Sequence, residues 1–348
     1  MKKIAIISEL NLSNINYGNR LQAYALNEYL SEKYEEFNVY SLILKRKQKY
    51  KITKFSLKHN LAIYLIPLLT QKKERELNRT FKNRMNLCNN FTINNTKYLN
   101  KEFGWRDINK ANFDIYIVGS DIVWNQDLYL VNRFKFLDFK TKKEIKKISY
   151  AASFGRDFIP ENNKKIIKKL LSSFDGISVR ENSSIKMLNN LGIDNVVNTC
   201  DPTLLLTKQK WMSVEKNPNL TSKKFIFVYL LGKSKRQREF IIKFAEERNL
   251  IIINIPNANG IIDSSDEKFG NIQFDNCSPE NWIWLIHHAE YIFTDSFHGV
   301  IFSSIFEKKF FALKREAKVD INNRINDYLK RINQEDKLIS CNESDISS

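Results

Sequence analysis

Tyr291-Ile-Phe-Thr-Asp-Ser-Phe-His-Gly-Val-Ile-Phe-Ser-Ser-Ile-Phe306 changes its hydrophobic period partway along. The β-branched and aromatic run from Tyr291 to Phe293 reads as a buried strand. Thr294, Asp295 and Ser296 are helix N-cap residue types, and a helix-period apolar pattern follows them. His298 and Gly299 therefore fall at a strand-to-helix corner. In open α/β sheets such corners, at the carboxyl ends of strands, are where ligands bind and where bare backbone N–H groups attract anions. His298 is the one imidazole in this corner.

The chain around that corner has 348 residues, a length that suits two domains, and 43% of them are hydrophobic, enough for substantial cores. A formal net charge of +17 favours polyanions, anionic lipid surfaces or phosphorylated small molecules, and a lysine-rich compositional bias would produce the same excess. Cys88, Cys200, Cys277 and Cys341 form no CxxC pair and have no histidine at ligand spacing, so neither a disulfide framework nor a metal site is expected. The basic start at Met1 runs into Ser8 and Glu9 after a short apolar stretch, which makes it a strand rather than an export signal. The apolar segment Leu61 to Leu69 contains Pro67 and falls short of the roughly 20 residues needed to span a bilayer. A cytoplasmic protein, possible at the inner face of a membrane, is the expectation.

Strand and helix patterns alternate along the chain. Ile4 to Ile7 is a strand, the loop Asn14 to Asn19 carries one glycine and no dinucleotide fingerprint, and a helix runs from about Arg20 to Lys33. A strand from Asn38 to Leu44 precedes a basic insertion, about residues 45–110, in which Lys72 to Cys88 has helical spacing with Leu77, Phe81, Met85 and Cys88 on one side. That insertion could lie on an anionic membrane or simply pack on the sheet. It carries no DNA-reading motif and no interleaved aromatics, so no nucleic-acid partner is expected. Phe113 to Val118 reads as a doubly buried parallel strand delivering Ser120, Asp121, Trp124 and Asn125 to a loop, and a polar pair beside an indole suits a sugar. Ile145 to Ala152, Gly176 to Val179 and Val196 to Thr199 continue the strands, the second delivering Arg180 and Glu181. Arg180 could grip a phosphate or carboxylate in bidentate fashion, or pair with Glu181. The first domain closes at residue 206, residues 207–223 read as a linker, and the α/β rhythm resumes over residues 224–348. Two Rossmann-like domains facing a cleft are expected.

Six motifs, Asn16-Tyr-Gly-Asn-Arg-Leu-Gln-Ala-Tyr-Ala-Leu26, Gly119-Ser-Asp-Ile-Val-Trp-Asn125, Tyr150-Ala-Ala-Ser-Phe-Gly155, Ser178-Val-Arg-Glu181, Asp201-Pro-Thr203 and Thr294-Asp-Ser-Phe-His-Gly299, stand in an order and spacing that resemble the polysaccharide pyruvyl transferase family. The resemblance implies a GT-B-like fold. It also implies transfer of an enolpyruvyl unit from phosphoenolpyruvate, as co-substrate and without another cofactor, to two hydroxyls of a saccharide in a surface polysaccharide or its lipid-linked precursor. The product would be a cyclic ketal, with release of phosphate. His298 and Arg180 match the family pattern, while Glu307-Lys-Lys309 departs from it where a turn with proline is more usual.

On this reading His298, Arg180 and Asp121 are the catalytic candidates. Arg180, Ser296, His298, Gly299 and one of Lys314, Lys318 or Arg324 would hold the donor, and Asn16, Gly18, Asn19, Ser120, Trp124 and Asn125 the acceptor. Two adjacent anions favour an imidazolium, so His298 could protonate the donor methylene or only bind its phosphate. Asp121 could orient or deprotonate a hydroxyl, or cap a helix. A nucleotide-sugar GT-B glycosyltransferase and a non-catalytic polyanion- or membrane-binding protein are the competing expectations.

Overall fold

A computed structural model of the chain describes residues 1–10, 12–45, 79–125, 132–141, 144–315 and 322–341. Most of the basic insertion, at residues 46–78, and Lys318 lie outside the described residues. The chain divides into two units: Met1–Asn14, Asn19–Thr80 and Thr92–Leu205 form the first, and Ile15–Gly18, Phe81–Phe91 and Leu206–Ser348 the second.

The first unit is built on β1 (Lys2–Ile7), β2 (Phe37–Leu44), β3 (Tyr98–Phe103), β4 (Ile115–Val118), β5 (Lys146–Ala152), β6 (Gly176–Val179) and β7 (Val196–Asn198). They form one sheet in the order β3-β2-β1-β4-β5-β6-β7. Neighbouring strands are parallel throughout. Burial on both faces explains why β1 and β4 read as unbroken apolar runs: Ile6 pairs with Ile117 and Ile7 with Val118 in the middle of the sheet. The strand order reverses between β1 and β4, which opens a crevice beyond their carboxyl ends. Helices flank the sheet through local signals. In Glu161–Leu171, for example, Glu161 lies in the first turn and Lys168 and Lys169 in the last, complementing the macrodipole, while Ile167, Leu170 and Leu171 are buried.

The second unit repeats the plan with β8 (Phe225–Tyr229), β9 (Ile251–Asn254), β10 (Ile272–Gln273), β11 (Tyr291–Thr294), β12 (Lys309–Leu313) and β13 (Leu338–Ile339), ordered β10-β9-β8-β11-β12-β13. All of its pairings are parallel too. Here the order reverses between β8 and β11. Helix Pro279–His288 starts on a capping box made by Ser278 and Asn281 with proline in its first turn. Helix Phe297–Ile305 starts on Ser296 and is buried from Phe297 through Ser303, so it shows no amphipathic stripe. Among the described residues no helix is long and apolar enough to cross a membrane.

The structure bears on three expectations. The segment at residues 207–223 is not a bare linker: helix Lys208–Met212 opens it, and its buried Trp211 packs edge-on against Phe302, 4.7 Å between centroids, inside the second unit. The described end of the basic insertion buries one side of its helix, as the packing alternative expects, while Lys82, Asn83 and Asn86 are exposed. Phe81, Met85 and Cys88 are buried, and the guanidinium of Arg84 donates to the carbonyls of Asp275 and Pro256 at 2.6 and 3.0 Å. Finally, Trp124 does not offer its indole to a sugar. It is 0% exposed, stacks on Phe136 at 5.4 Å, tilts against Phe154 at 5.3 Å, and donates Nε1–H to the carbonyl of Lys135.

Trp124→Ala is therefore expected to cost about 3–5 kcal/mol of stability, read from denaturant unfolding. A loss under about 1 kcal/mol with a selective loss of saccharide binding would restore the stacking role.

Candidate active site

In the second unit, the turn after β11 is fixed by a buried carboxylate. Asp295 is 0% exposed and spans the point where the strand order reverses: its Oδ1 accepts from Leu231 N–H at 2.6 Å and its Oδ2 from Gly232 N–H at 2.7 Å, both in the turn after β8. Arg315, just beyond β12, places Nε 3.3 Å from Oδ2 and donates through Nη2 to the Asp295 carbonyl at 2.9 Å. Burial outweighs Arg315 and the two amides, and the Asp295 carboxyl is pushed above its usual range. Acceptance at both oxygens is the arrangement of an ionised carboxylate, so the pair neutralises itself in place.

Thr294 and Ser296 complete the turn. Thr294 Oγ1 donates to the Tyr229 carbonyl at 2.7 Å and accepts from Ser296 N–H at 3.1 Å, and Ser296 Oγ caps Gly299 N–H at 3.4 Å. A Cβ at Gly299 would lie 2.3 Å from Thr294 Oγ1, so the first helical turn packs against the strand end only with glycine there. His298 projects from this turn, 7% exposed and edge-on to Phe297 at 5.4 Å. Gly18 lies against its ring: a Cβ there would sit 2.1 Å from Nδ1. The expected donor residues Ser296, His298 and Gly299 thus share one corner, and Gly18, expected on the acceptor side, joins them. Arg324 lies over the Phe297 ring at 5.8 Å, whereas the Lys314 side chain is exposed. Arg315, not singled out from sequence, is the cation that the fold seats on Asp295. Its position in a lysine- and arginine-rich loop carried no local sign of that role.

Five of the six motifs meet around Arg180, which is 4% exposed at the carboxyl end of β6 in the first unit. Its Nε donates to Glu181 at 2.9 Å and its Nη1 to Asp201 at 2.7 Å, and Nη2 lies 3.6 Å from Asp121. Burial alone would lower the Arg180 pKa, but the three carboxylates outweigh it and raise it. Among the described residues the charge of Arg180 is met by three anions. Asp201 also accepts from Ser120 Oγ at 3.3 Å, and from the N–H and hydroxyl of Thr203 at 3.1 and 2.8 Å. Asn19 donates to Asp121 through Nδ2 and accepts from Asn14 at 3.1 Å.

Asp121 occupies left-handed backbone with φ 65°, as does Ala151 at φ 49°. Such conformations strain non-glycine residues and persist where the surroundings hold them, often at functional sites. Asp121 bridges to Ala152 beside an irregularity in the β5–β6 ladder, so the Tyr150–Gly155 motif shapes the corner. Asn16 and Asn125 are exposed at the ends of their loops.

Sequence reasoning missed one further pair. Glu9, just past β1 at the strand-order reversal, contacts the ammonium of Lys135. Lys135 is 8% exposed, and burial pulls it down to about 7. No periodicity marks a buried lysine, and β2, β3 and β4 lie between it and Glu9 in sequence. By contrast, the cavity of about 390 Å³ lined by Phe244, Tyr291 and Phe311 lies at the amino end of β11, away from the ligand-binding end of a parallel sheet.

The Lys135 shift has a pH signature. Between about pH 7 and the ordinary lysine value near 10.4, the unfolded chain holds the extra proton, so this group makes stability rise with pH across that window. Lys135→Met is expected to flatten that rise relative to the parent in urea midpoints taken from pH 7 to 10. An unchanged slope would mean that Lys135 is charged throughout.

Comparison with known proteins follows the geometry. No curated protein sequence matches the chain significantly. Solved structures match in fold. The UDP-GlcNAc 2-epimerase of Methanocaldococcus jannaschii has a TM-score of 0.54 at 12% identity, covering 100% of this chain and 91% of that one. The same enzyme in complex with UDP-GlcNAc and UDP gives 0.53 at 14% identity over 100% and 91%. The S. aureus MnaA–UDP structure gives 0.50 at 13% identity over 99% and 86%. At these identities the likeness establishes a GT-B-like fold alone. The family profile described as Polysaccharide pyruvyl transferase matches residues 16–316, from the loop before Gly18 to the residue after Arg315, and the chain belongs to the polysaccharide pyruvyl transferase family.

Proposed function

We propose that this pyruvyl transferase takes phosphoenolpyruvate as donor and converts two hydroxyls of one sugar, in a surface polysaccharide or its lipid-linked precursor, into a pyruvate ketal. The observation that carries the reading is the β11 corner. A buried histidine, the start of a nine-residue helix and an arginine converge there, in the segment that the family profile matches. Phosphoenolpyruvate carries anionic groups, and the positive start of helix Phe297–Ile305, with His298 in its first turn, offers them a seat, while Arg315, paired with Asp295, fixes that turn.

The chemistry needs one proton in and two out. His298 gives a proton to the methylene carbon, which becomes a methyl group, and C2 becomes an oxocarbenium ion. The first sugar hydroxyl adds to C2 and loses its proton. The C2–O bond to phosphate then breaks, phosphate leaves with that electron pair, and the second hydroxyl closes the ketal with loss of its proton. A general acid at such a step typically contributes about 10²–10⁴ in rate. Asp121 is the proposed hydroxyl base or orienting group. Arg180, wrapped by carboxylates, is a positioning residue that holds Asp121 and Asp201. The net negative charge around it suits hydroxyl groups better than an anionic donor.

The competing nucleotide-sugar reading rests on fold likeness alone, although the M. jannaschii relative was solved in complex with UDP-GlcNAc and UDP. Thermal unfolding separates the two. Phosphoenolpyruvate is expected to raise the melting temperature of the parent and to raise that of His298→Asn less, while UDP-GlcNAc raises neither. With an acceptor saccharide, His298→Asn should release phosphate about 10²–10⁴ more slowly. Stabilisation by UDP-GlcNAc alone, or parent-like turnover in His298→Asn, would sink the proposal.

A further inference from the structure

Away from both corners, Glu215, His287 and His288 bring their ligand atoms together within 4.8 Å of one another, a cluster that cysteine and histidine spacing did not foretell. His287 Nδ1 lies 2.9 Å from one carboxylate oxygen of Glu215, and His288 Nε2 lies 3.4 Å from the other. Each imidazole is held from behind by an aromatic ring: His287 stacks on Phe306 at 4.6 Å, and His288 on Trp284 at 4.3 Å. Glu215 is fixed through its neighbour, because Lys216 N–H donates to the Glu280 carbonyl at 3.1 Å and Asn281 Nδ2 donates to the Lys216 carbonyl at 2.8 Å.

The geometry points to a divalent transition-metal site at this cluster, with Zn²⁺ as its natural occupant and Glu215, His287 and His288 as ligands. Two imidazoles and a carboxylate suit a borderline-soft cation. Metal–ligand bonds of about 2.0–2.2 Å put tetrahedral ligand atoms roughly 3.3–3.5 Å apart, close to the contacts already present. The histidines close helix Pro279–His288, whose C-terminal end favours a cation. The side chain of His288 is 41% exposed, so the fourth coordination position faces water and the ion has an entry path. Bound there, the ion would staple the segment after helix Lys208–Met212 to the helix that leads into β11. Such a clip stabilises the fold by mass action and takes no part in the transfer chemistry.

The test is calorimetric titration of tag-free, chelator-washed protein with ZnCl₂, beside thermal unfolding with Zn²⁺ and with Mg²⁺. One equivalent of Zn²⁺ is expected to bind and raise the melting temperature, with no effect of Mg²⁺. His288→Ala and Glu215→Gln should each weaken binding by about tenfold or more. The exposure of His288 lets its variant keep the parent circular dichroism spectrum, which is to be checked alongside. Absence of saturable binding, or parent-like affinity in both variants, would overturn the assignment.

Discussion

The second unit depends on one buried charge. Asp295 is sealed at the strand-order reversal, where two backbone amides from the β8 turn and the guanidinium of Arg315 compensate it. An uncompensated carboxylate in that position would cost several kcal/mol, so the β8 turn, the β11 turn and the segment after β12 must keep their positions together. Ser296, His298 and Gly299 are displayed from the turn so fixed, and Gly232 must lack a side chain because a Cβ there would approach Asp295 Oδ2 to 2.8 Å.

The first unit meets the same need with the opposite sign. Its buried centre is a cation, Arg180, held by Glu181, Asp201 and Asp121. The backbone strain at Asp121 and Ala151 is borne by this network and by the ladder irregularity beside it. Each unit places its charged cluster at carboxyl ends of parallel strands, as open α/β sheets do generally. The clusters differ in charge: three carboxylates surround one guanidinium in the first unit, and one carboxylate meets one guanidinium in the second.

Local signals were legible in the sequence. The strand-cap-helix succession at Thr294 to Gly299, the bounds of Gly176 to Val179 and the capped helix from Pro279 to His288 follow from period, caps and glycine. Short edge strands such as β3 and β13 escaped, because a polar strand such as Tyr98–Phe103 takes its partners from the sheet and carries little pattern of its own. Pairings distant in sequence were illegible as well. Nothing local shows that Arg180 meets Asp121 and Asp201, that Gly18 approaches His298, or that Trp124 is enclosed by Phe136 and Phe154 and so cannot face a sugar. The motifs single these residues out, but the carboxylate contacts of Arg180 and the aromatic enclosure of Trp124 come from the fold and cannot be read from the motifs. The Glu215, His287 and His288 cluster is invisible in sequence for the same reason.

The most direct measurement is a crystal structure of the protein with phosphoenolpyruvate. The proposed reaction requires the donor phosphate at the start of helix Phe297–Ile305, within hydrogen-bond distance of His298 or Arg315, with the methylene carbon facing the imidazole. Phosphoenolpyruvate bound on Arg180 in place of its carboxylate partners, or seated away from the β11 corner altogether, would contradict it.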